Sequence, residues 1–226
     1  MRAFMERRAG QNAGEERRRL ARRGLAWCAA GLILPACAWV LGAPWWLVSV
    51  AWVVSIAGTL TTERVLLPQV ERWGRGEQGE QAVGALLDSL AGSGWRVLHD
   101  ISFGRRGNID HVLIGPGGIF TVETKSHGGR IDADRVDPRM LRQAYAQCKL
   151  LETVTQRDVE PLLVFSRAYL TPAVSRRRGV VVLPARMLEG HLKRRTRLLA
   201  ASEVDRVHAL LQSAIPREAR AAHTPR

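Results

Sequence analysis

The stretch that decides the fold is Asn108–Lys125, which reads NIDHVLIGPGGIFTVETK. Two runs rich in β-branched residues, Ile109–Ile114 and Ile119–Lys125, flank the tetrapeptide GPGG, and this pattern predicts a β-hairpin with a four-residue turn. Such a turn fixes the cross-strand pairs, which are Ile114 with Ile119, Val112 with Thr121 and Asp110 with Glu123.

The last of these pairs places two carboxylates opposite each other. Directly opposed residues of an antiparallel pair have Cβ atoms about 5 Å apart, and like charges there destabilise the sheet. A cation between Asp110 and Glu123 would remove the repulsion, and Mg²⁺ binds carboxylates together with water and substrate phosphate. Lys125 follows on the same face and is one of only three lysines in an arginine-rich chain, so a compact charge is favoured there. The hairpin predicts either a metal site or a solvated salt-bridge face.

A further acidic residue precedes a predicted helix. Glu80 lies seven residues before Leu87 and therefore heads the apolar face of that helix. An acid in that position, near the acidic hairpin, is a candidate metal ligand or water-positioning group, and Glu77, one turn earlier, is the weaker candidate. His111 points to the face opposite Asp110 by strand alternation, which favours a structural role.

The remaining elements predict an α/β fold. Short apolar runs indicate further strands, and apolar residues at helical spacing indicate further helices. The predicted strands are Trp95–Ile101, Leu162–Ser166 and Val180–Leu183, and the predicted helices lie around residues 82–90, at Pro138–Thr155 and from Ser202 onward. The three cysteines have no spacing typical of a disulfide framework or a structural zinc site.

Five short blocks of this sequence resemble the NERD, or nuclease-related, domain in the order in which that family has them. The blocks are GEQGE at 76–80, NIDHV at 108–112, PGGIF at 116–120, VETK at 122–125 and GRI at 129–131. The resemblance covers roughly residues 76–166 and includes Gln143 in the helix that follows. An ordered set of blocks is more specific than the spacing of two acids and a lysine alone.

This resemblance implies a restriction-endonuclease-like core of the PD-(D/E)xK superfamily, a central mixed sheet flanked by helices. It also implies hydrolysis of nucleic-acid phosphodiester bonds assisted by Mg²⁺ or Mn²⁺. Asp110 and Glu123 would hold the metal, with the carbonyl of Thr124 as a further ligand. Lys125 would orient the attacking water or stabilise charge on the phosphate, and Gln143 would position the nucleic-acid backbone.

An apolar stretch of 39 residues, Gly24–Thr62, contains no Asp, Glu, Lys or Arg. As one helix it would be about twice as long as a hydrocarbon core of roughly 30 Å, and Gly42-Ala43-Pro44 interrupts it. The sequence therefore predicts a transmembrane helical hairpin. Basic residues on both flanks predict that both ends lie in the cytoplasm, at a bacterial-type inner membrane. The alternatives are one tilted span, or a cleaved signal near Ala36-Cys37.

The chain carries a formal net charge of +13, which favours polyanionic partners such as nucleic acid or an anionic lipid bilayer. Arg176, Arg177 and Arg178 form a candidate nucleic-acid-binding cluster, with DNA favoured over RNA. The same three residues are also consistent with a solvated loop or with contact to anionic lipid.

The predicted organisation has five parts: a basic segment at 1–23, the transmembrane hairpin at 24–62, a connector at 63–75, the nuclease-like domain at 76–215 and a flexible tail at 216–226. The function predicted from these parts is a membrane-anchored nuclease that faces the cytoplasm. The alternative is a non-catalytic module with the same fold, tethered to the membrane, that binds nucleic acid or a protein.

Overall fold

The computed structural model of the chain describes residues 9–103 and 107–221. It divides into two compact units, one of residues 12–76 and one that contains residues 9–11, 77–103 and 107–221. The first unit is helical, and the second contains a six-stranded mixed sheet flanked by helices. The predicted α/β domain with a central mixed sheet is thus confirmed.

The helical unit contains the long uncharged stretch. Helix α1 spans Gln11–Val40 and helix α2 spans Trp45–Thr61, and Gly42 in the predicted break has a φ of +70°, a backbone conformation that favours glycine. The two helices approach closely, since a Cβ added to Gly31 would lie 3.5 Å from the Cβ of Ser55. Both helical segments are long and apolar enough to cross a membrane by length and composition, and α2 has no buried residue.

The predicted connector at residues 63–75 is helical. A π-helical turn, Thr62–Leu66, leads into helix α3, Leu67–Asp88. Pro68 stands in the first turn of α3, where the wider π-helical turn before it leaves room for the proline ring. Residues 77–88 of this helix belong to the second unit.

The sheet of the second unit combines antiparallel and parallel strands. Its strands are β1 Arg96–Ser102, β2 Asn108–Gly115, β3 Gly118–Asp132, β4 Glu160–Thr171, β5 Ser175–Arg177 and β6 Val180–Pro184. Their order is β1-β2-β3-β4-β6-β5. Strands β1, β2 and β3 are antiparallel neighbours, β4 runs parallel to β3 and to β6, and β5 pairs antiparallel with β6. Strands β3 and β4 both extend well beyond the predicted ends.

Three further helices complete the second unit: α4 Pro138–Thr155, α5 Ala185–Lys193 and α6 Ala201–Ala221. The bounds of α4 are as predicted. Its first turn is capped by Asp137, whose carboxylate accepts a hydrogen bond from the N–H of Arg139 at 2.8 Å. Helix α5 and strand β5 were not predicted.

The start of helix α6 differs from the prediction by one residue. The helix begins at Ala201 rather than Ser202, and the carboxylate of Glu203 accepts the N–H of Ala200 at 3.1 Å. This bond satisfies one of the N–H groups that a helix start leaves without a helical partner. The helix continues past residue 216, where the tail was predicted to begin, and residues 222–226 lie outside the described part of the chain.

Apolar side chains cover both faces of the sheet. On strand β4, Leu162 and Val164 face one way and pack with residues of α3 and α5, such as Leu87. Leu163 and Phe165 face the other way and pack with residues of α4. All four β4 side chains are essentially inaccessible to solvent, as is typical of a parallel strand covered by helices on both sides.

We expect Gly115→Ala to lower the free energy of unfolding by about 1–3 kcal/mol, because the new Cβ would overpack the core. It would lie 2.2 Å from the ring of Trp95, a side chain that is only 4% exposed. Gly92→Ala is the matched control, since a Cβ there meets nothing within 4 Å. Urea unfolding of the full chain in detergent, followed by circular dichroism, measures both changes. Equal stability of the two variants would contradict the packing of Trp95 on β2.

Candidate active site

Four carboxylates converge near one end of the sheet, and we call them the acid cluster: Glu80 from α3, Asp100 from β1, Asp110 from β2 and Glu123 from β3. Their convergence is evident from their mutual electrostatic effects. The negative charges of Asp100 and Glu123 raise the pKa of Glu80, and those of Glu123 and Glu80 raise the pKa of Asp110. Charges act on a pKa in this way only over short distances.

The hairpin register is confirmed over most of its length but not at its end. Ile114 pairs with Ile119 and Val112 with Thr121, as the turn predicts, and the ladder between β2 and β3 ends one step further, at His111 and Val122. The predicted pairing of Asp110 with Glu123 is therefore not part of the ladder. Instead, the N–H of Thr124 donates to the carboxylate of Asp110 at 2.8 Å.

Asp110 is held in an unfavourable environment for a negative charge. Burial, followed by the charges of Glu123 and Glu80, raises its pKa well above the ordinary value of 3.8. The hydrogen bond from Thr124 and the positive charge of Lys125 act in the opposite direction without cancelling the effect. The site thus contains more negative charge than its own groups neutralise.

Glu123 lies at the centre of a hydrogen-bond network and is 2% exposed. The ammonium group of Lys125 donates to one carboxylate oxygen of Glu123 at 2.6 Å, and the amide of Gln147 donates to the other at 2.5 Å. Lys125 also donates to the side-chain oxygen of Gln143 at 3.1 Å. Two of the predicted catalytic residues, Lys125 and Gln143, are thereby brought together with the predicted ligand Glu123.

Glu80, on α3, approaches this network from the side of the sheet opposite to α4. Burial, together with the charges of Asp100 and Glu123, raises its pKa from 4.5 to about 7. A carboxyl group with a pKa near neutrality can both accept and release a proton under physiological conditions. Glu77, one turn earlier on α3, contributes to this shift by its charge.

Sequence reasoning missed Asp100, Asn108 and Gln147. Asp100 has a φ of +52° and forms no ladder pair, since β1 pairs His99 with His111 and then Ile101 with Ile109. Its side chain is buried, and the amide of Asn108 donates to it at 2.6 Å. The available signal for Gln147 was its position four residues after Gln143, on the same face of α4.

The donors in this cluster suit a hard divalent cation. All of them are oxygen atoms, and among the described residues the positive charge of Lys125 acts on Glu80 and Asp110. The side-chain oxygens of Asn108 and Gln147 are buried without a hydrogen-bond partner in the described part of the chain. Within that same part, no three His, Cys, Asp or Glu side chains are arranged to hold a metal ion. Asp110, Glu123 and the carbonyl of Thr124 stay the predicted ligands.

The three arginines predicted to bind nucleic acid lie on or directly after β5, the edge strand of the sheet. Arg176 donates to Glu160 at 2.5 Å, and Glu160 is also bonded by Arg195. Through the registers of β5, β6 and β4, Arg176 lies level with Val122, three residues or about 10 Å before Lys125 along the strand. Three strand spacings of about 4.8 Å also separate β5 from β3. The structure therefore does not bring Arg176, Arg177 and Arg178 to the acid cluster.

His111 belongs to the core. Its ring is fully buried, with Nδ1 2.8 Å from Nδ1 of His99, and the other ring nitrogen of His99 lies 2.9 Å from Asp88. Burial lowers the pKa of His111 to about 3, so the ring is neutral at physiological pH. This agrees with the structural role predicted from strand alternation.

Comparison with known proteins supports the resemblance seen in the sequence blocks. Residues 75–166 match the model of the NERD family, which is described as a nuclease-related domain. An uncharacterised protein of Bacillus anthracis is 33% identical over 82 residues, which make up 34% of this chain and 38% of that protein. The aligned part is thus well under half of either protein. No solved structure matches the chain significantly.

We expect Asp110→Asn to stabilise the protein in EDTA at about pH 8, because it removes one of four clustered charges and keeps an oxygen for the N–H of Thr124. The raised pKa means that the contribution of Asp110 to stability is complete below its ordinary value of 3.8 and is lost as the pH rises through the folded-state pKa. The advantage of the variant should therefore shrink towards about pH 4.

Thermal unfolding in detergent measures the effect, and a gain of about 1 kcal/mol corresponds to about 2–4 °C in a chain of this size. The matched control is Asp158→Asn, since Asp158 is exposed and lies outside the acid cluster. A melting temperature of Asp110→Asn below that of the unaltered protein at about pH 8 would contradict the excess of negative charge at this site.

Proposed function

We propose that the chain is a membrane-anchored, metal-dependent nuclease that hydrolyses nucleic-acid phosphodiester bonds. The observation that carries this proposal is the meeting of Asp110, Glu123 and Lys125 at one end of the sheet with an excess of negative charge. A structural ion pair would need one acid and one base, whereas the described residues of this site include four acids and Lys125. The match of residues 75–166 to a nuclease-related domain is consistent with the proposal.

Mg²⁺ or Mn²⁺ would be held by Asp110, Glu123 and the carbonyl oxygen of Thr124. When bound, such a metal polarises the scissile phosphate and lowers the pKa of an attacking water. The N–H of Thr124 fixes the carboxylate of Asp110, and Gln147 fixes that of Glu123. These contacts would hold both ligands in place before the substrate arrives.

Lys125 would act on the phosphate. Its ammonium group is oriented by Glu123 and Gln143 and is partly exposed, so one N–H is free to point towards solvent. From there it would donate to a phosphate oxygen as negative charge develops in the transition state. Gln143 would thus act by positioning Lys125, in addition to any contact with the nucleic-acid backbone.

Glu80 would serve as the general base. With a pKa of about 7 it is substantially ionised at physiological pH, and it can accept the proton that the attacking water releases. Its position on α3, separate from the two proposed ligands on the hairpin, leaves it available for that role. Asp100 would assist by keeping the pKa of Glu80 near neutrality.

The apolar helices α1 and α2 would anchor the chain as a hairpin in a bacterial-type inner membrane. Three features support this: the interruption at Gly42, the exposure of the apolar side chains of α2 within its own unit, and basic residues on both flanks. The positive-inside rule would place both termini and the nuclease domain in the cytoplasm. DNA, which is favoured over RNA, would be the substrate on that side.

We expect Lys125→Met, Asp110→Asn and Glu123→Gln each to reduce Mg²⁺-dependent cleavage at least about 100-fold, because each removes a group that acts on the phosphate or its metal. Glu80→Gln should also reduce the rate by about 100-fold, the usual effect of a lost general base. Single-turnover cleavage of labelled DNA by the full chain in detergent is the measurement.

The matched control is Lys149→Met, which removes an exposed lysine that pairs with Glu152 and lies over the ring of Tyr145, and it should leave cleavage unchanged. Equal activity of Lys125→Met and Lys149→Met would refute the assignment. If the unaltered chain binds DNA but does not cut it with either metal, the non-catalytic tethering module becomes the better account.

Reporter fusions test the topology. A reporter fused after Arg226 should behave as cytoplasmic, and one inserted near Ala43 should behave as external, because the basic flanks favour the cytoplasmic side. A cytoplasmic signal at both positions would argue against two spans. An external C-terminus would overturn both the hairpin and the cytoplasmic placement of the domain.

A further inference from the structure

Beyond Lys125, strands β3 and β4 continue as a two-stranded parallel extension, which we call the arm: residues 128–132 of β3 and 167–171 of β4. Strand β2 pairs with β3 only as far as Val122, and β6 pairs with β4 only as far as Phe165. The arm therefore has no further strand beside it in the described part of the chain. A bulge between Lys125 and Gly128 marks its start.

The two faces of the arm differ in chemistry. Ala168 and Leu170 are buried in the core with α4, whereas Arg167 and Tyr169 are exposed on the other face. Arg130 pairs with Tyr169 in the ladder, and ladder partners in a parallel pair point to the same side. Arginine and tyrosine side chains therefore share the exposed face, and Tyr169 is 65% exposed.

Tyr169 is held in place by Arg186, the second residue of α5. The guanidinium carbon of Arg186 lies 4.8 Å from the centre of the tyrosine ring, and its Nη1 donates to the carbonyl of Ala168 at 3.3 Å. This cation–π contact orients the ring while most of its surface stays open. An exposed aromatic side chain that is fixed in this way offers a surface on which a base can stack.

Arg130 and Arg167, the arginines beside Tyr169, are available to bind an anion. Within residues 9–103 and 107–221, neither Arg130 nor Arg167 forms an ion pair. The single carboxylate of the arm, Asp132, is already engaged by Arg135 at 3.4 Å and by the N–H of Asp134. An exposed face with two unpaired guanidinium groups is complementary to phosphates.

The arm is continuous with the candidate active site. Ser166 directly precedes Arg167, and its hydroxyl donates to the carbonyl of Lys125 at 3.5 Å. A Cβ added to Gly79, the neighbour of Glu80, would lie 2.8 Å from the same hydroxyl oxygen. A strand of nucleic acid leaving the acid cluster would therefore meet the arm within one or two nucleotides.

We propose that the exposed face of the arm binds single-stranded DNA, with a base stacked on Tyr169 and phosphates bound by Arg130 and Arg167. This inference rests on the proposed function, because the strand bound by the arm would be the continuation of the nucleic acid bound at the acid cluster. It assigns the binding of the strand to residues at the end of the sheet that holds the cluster. Arg176 and its neighbours, at the β5 edge of the sheet, have no part in it.

Fluorescence anisotropy with a labelled oligothymidylate tests the proposal, using the full chain in non-ionic detergent with EDTA so that no metal-dependent cleavage occurs. Arg130→Ala/Arg167→Ala should weaken binding and reduce the slope of log affinity against log salt by about 1.4, the value for two lost contacts to single-stranded phosphates. Tyr169→Ala should weaken binding about tenfold without changing that slope, because stacking is not ionic. Tyr169→Phe keeps the ring and should bind nearly as well as the unaltered protein.

The matched control is Arg176→Ala/Arg177→Ala, which removes the same charge on the edge strand β5 and should leave the salt slope unchanged. An equal loss in the two double variants would overturn the proposal, since it would indicate a response to total charge alone. Unchanged binding in Tyr169→Ala and in Arg130→Ala/Arg167→Ala would also overturn it.

Failure of the proposed function gives a different result. Suppose that the unaltered chain never cuts DNA in Mg²⁺ or Mn²⁺ but the arm variants bind more weakly as described. DNA binding by the arm is then supported and the nuclease assignment is refuted. If the chain cuts DNA and the arm variants bind and cut as the unaltered protein does, the nuclease assignment is supported and DNA binding by the arm is refuted.

Discussion

Repulsion among four carboxylates at one end of the sheet is the constraint on which the rest of the domain depends. Folding gathers Glu80, Asp100, Asp110 and Glu123 from a helix and three strands, although burial and the neighbouring carboxylates raise the pKa of Glu80 and of Asp110. The surrounding structure offsets part of this cost. The N–H of Thr124, the amide of Gln147 and the ammonium group of Lys125 all donate to these carboxylates. A buried arrangement with such a cost is typical of a functional site.

The parts of this site that sequence reasoning predicted are those fixed by local geometry. The turn at GPGG sets the register of Ile114 and Val112, and the helical period places Glu80 on the inner face of α3. The positions it missed depend on tertiary structure. Asp100 is buried at a position with a φ of +52°, and the ordinary strand pattern around it does not indicate a buried acid. Gln147 becomes informative only once α4 is known to lie over β3.

The parallel pairing of β3 with β4 accounts for the largest errors. A hairpin register follows from its turn, but two strands joined through a helix have no local feature that fixes their alignment. The alignment observed here leaves Arg176 on the edge strand β5, three strand spacings from Lys125, and extends both β3 and β4 past the predicted ends. It also assembles Arg130, Tyr169 and Arg186, which are far apart in the sequence, on one surface. No local run of basic and aromatic residues exists from which that surface could be predicted.

The charges of the acid cluster and of the arm are physically linked. Among the described residues, four carboxylates meet the positive charge of Lys125 at the acid cluster, and negative charge there repels a phosphate. A bound cation would reduce the repulsion at the cluster itself but not along the rest of the strand. Arg130 and Arg167 lie directly beyond Lys125. There they would compensate the negative charge of a nucleic-acid backbone that passes close to the acid cluster. An acidic site for polyanion chemistry therefore needs an adjacent cationic surface, and the continuation of β3 and β4 supplies one without any additional domain.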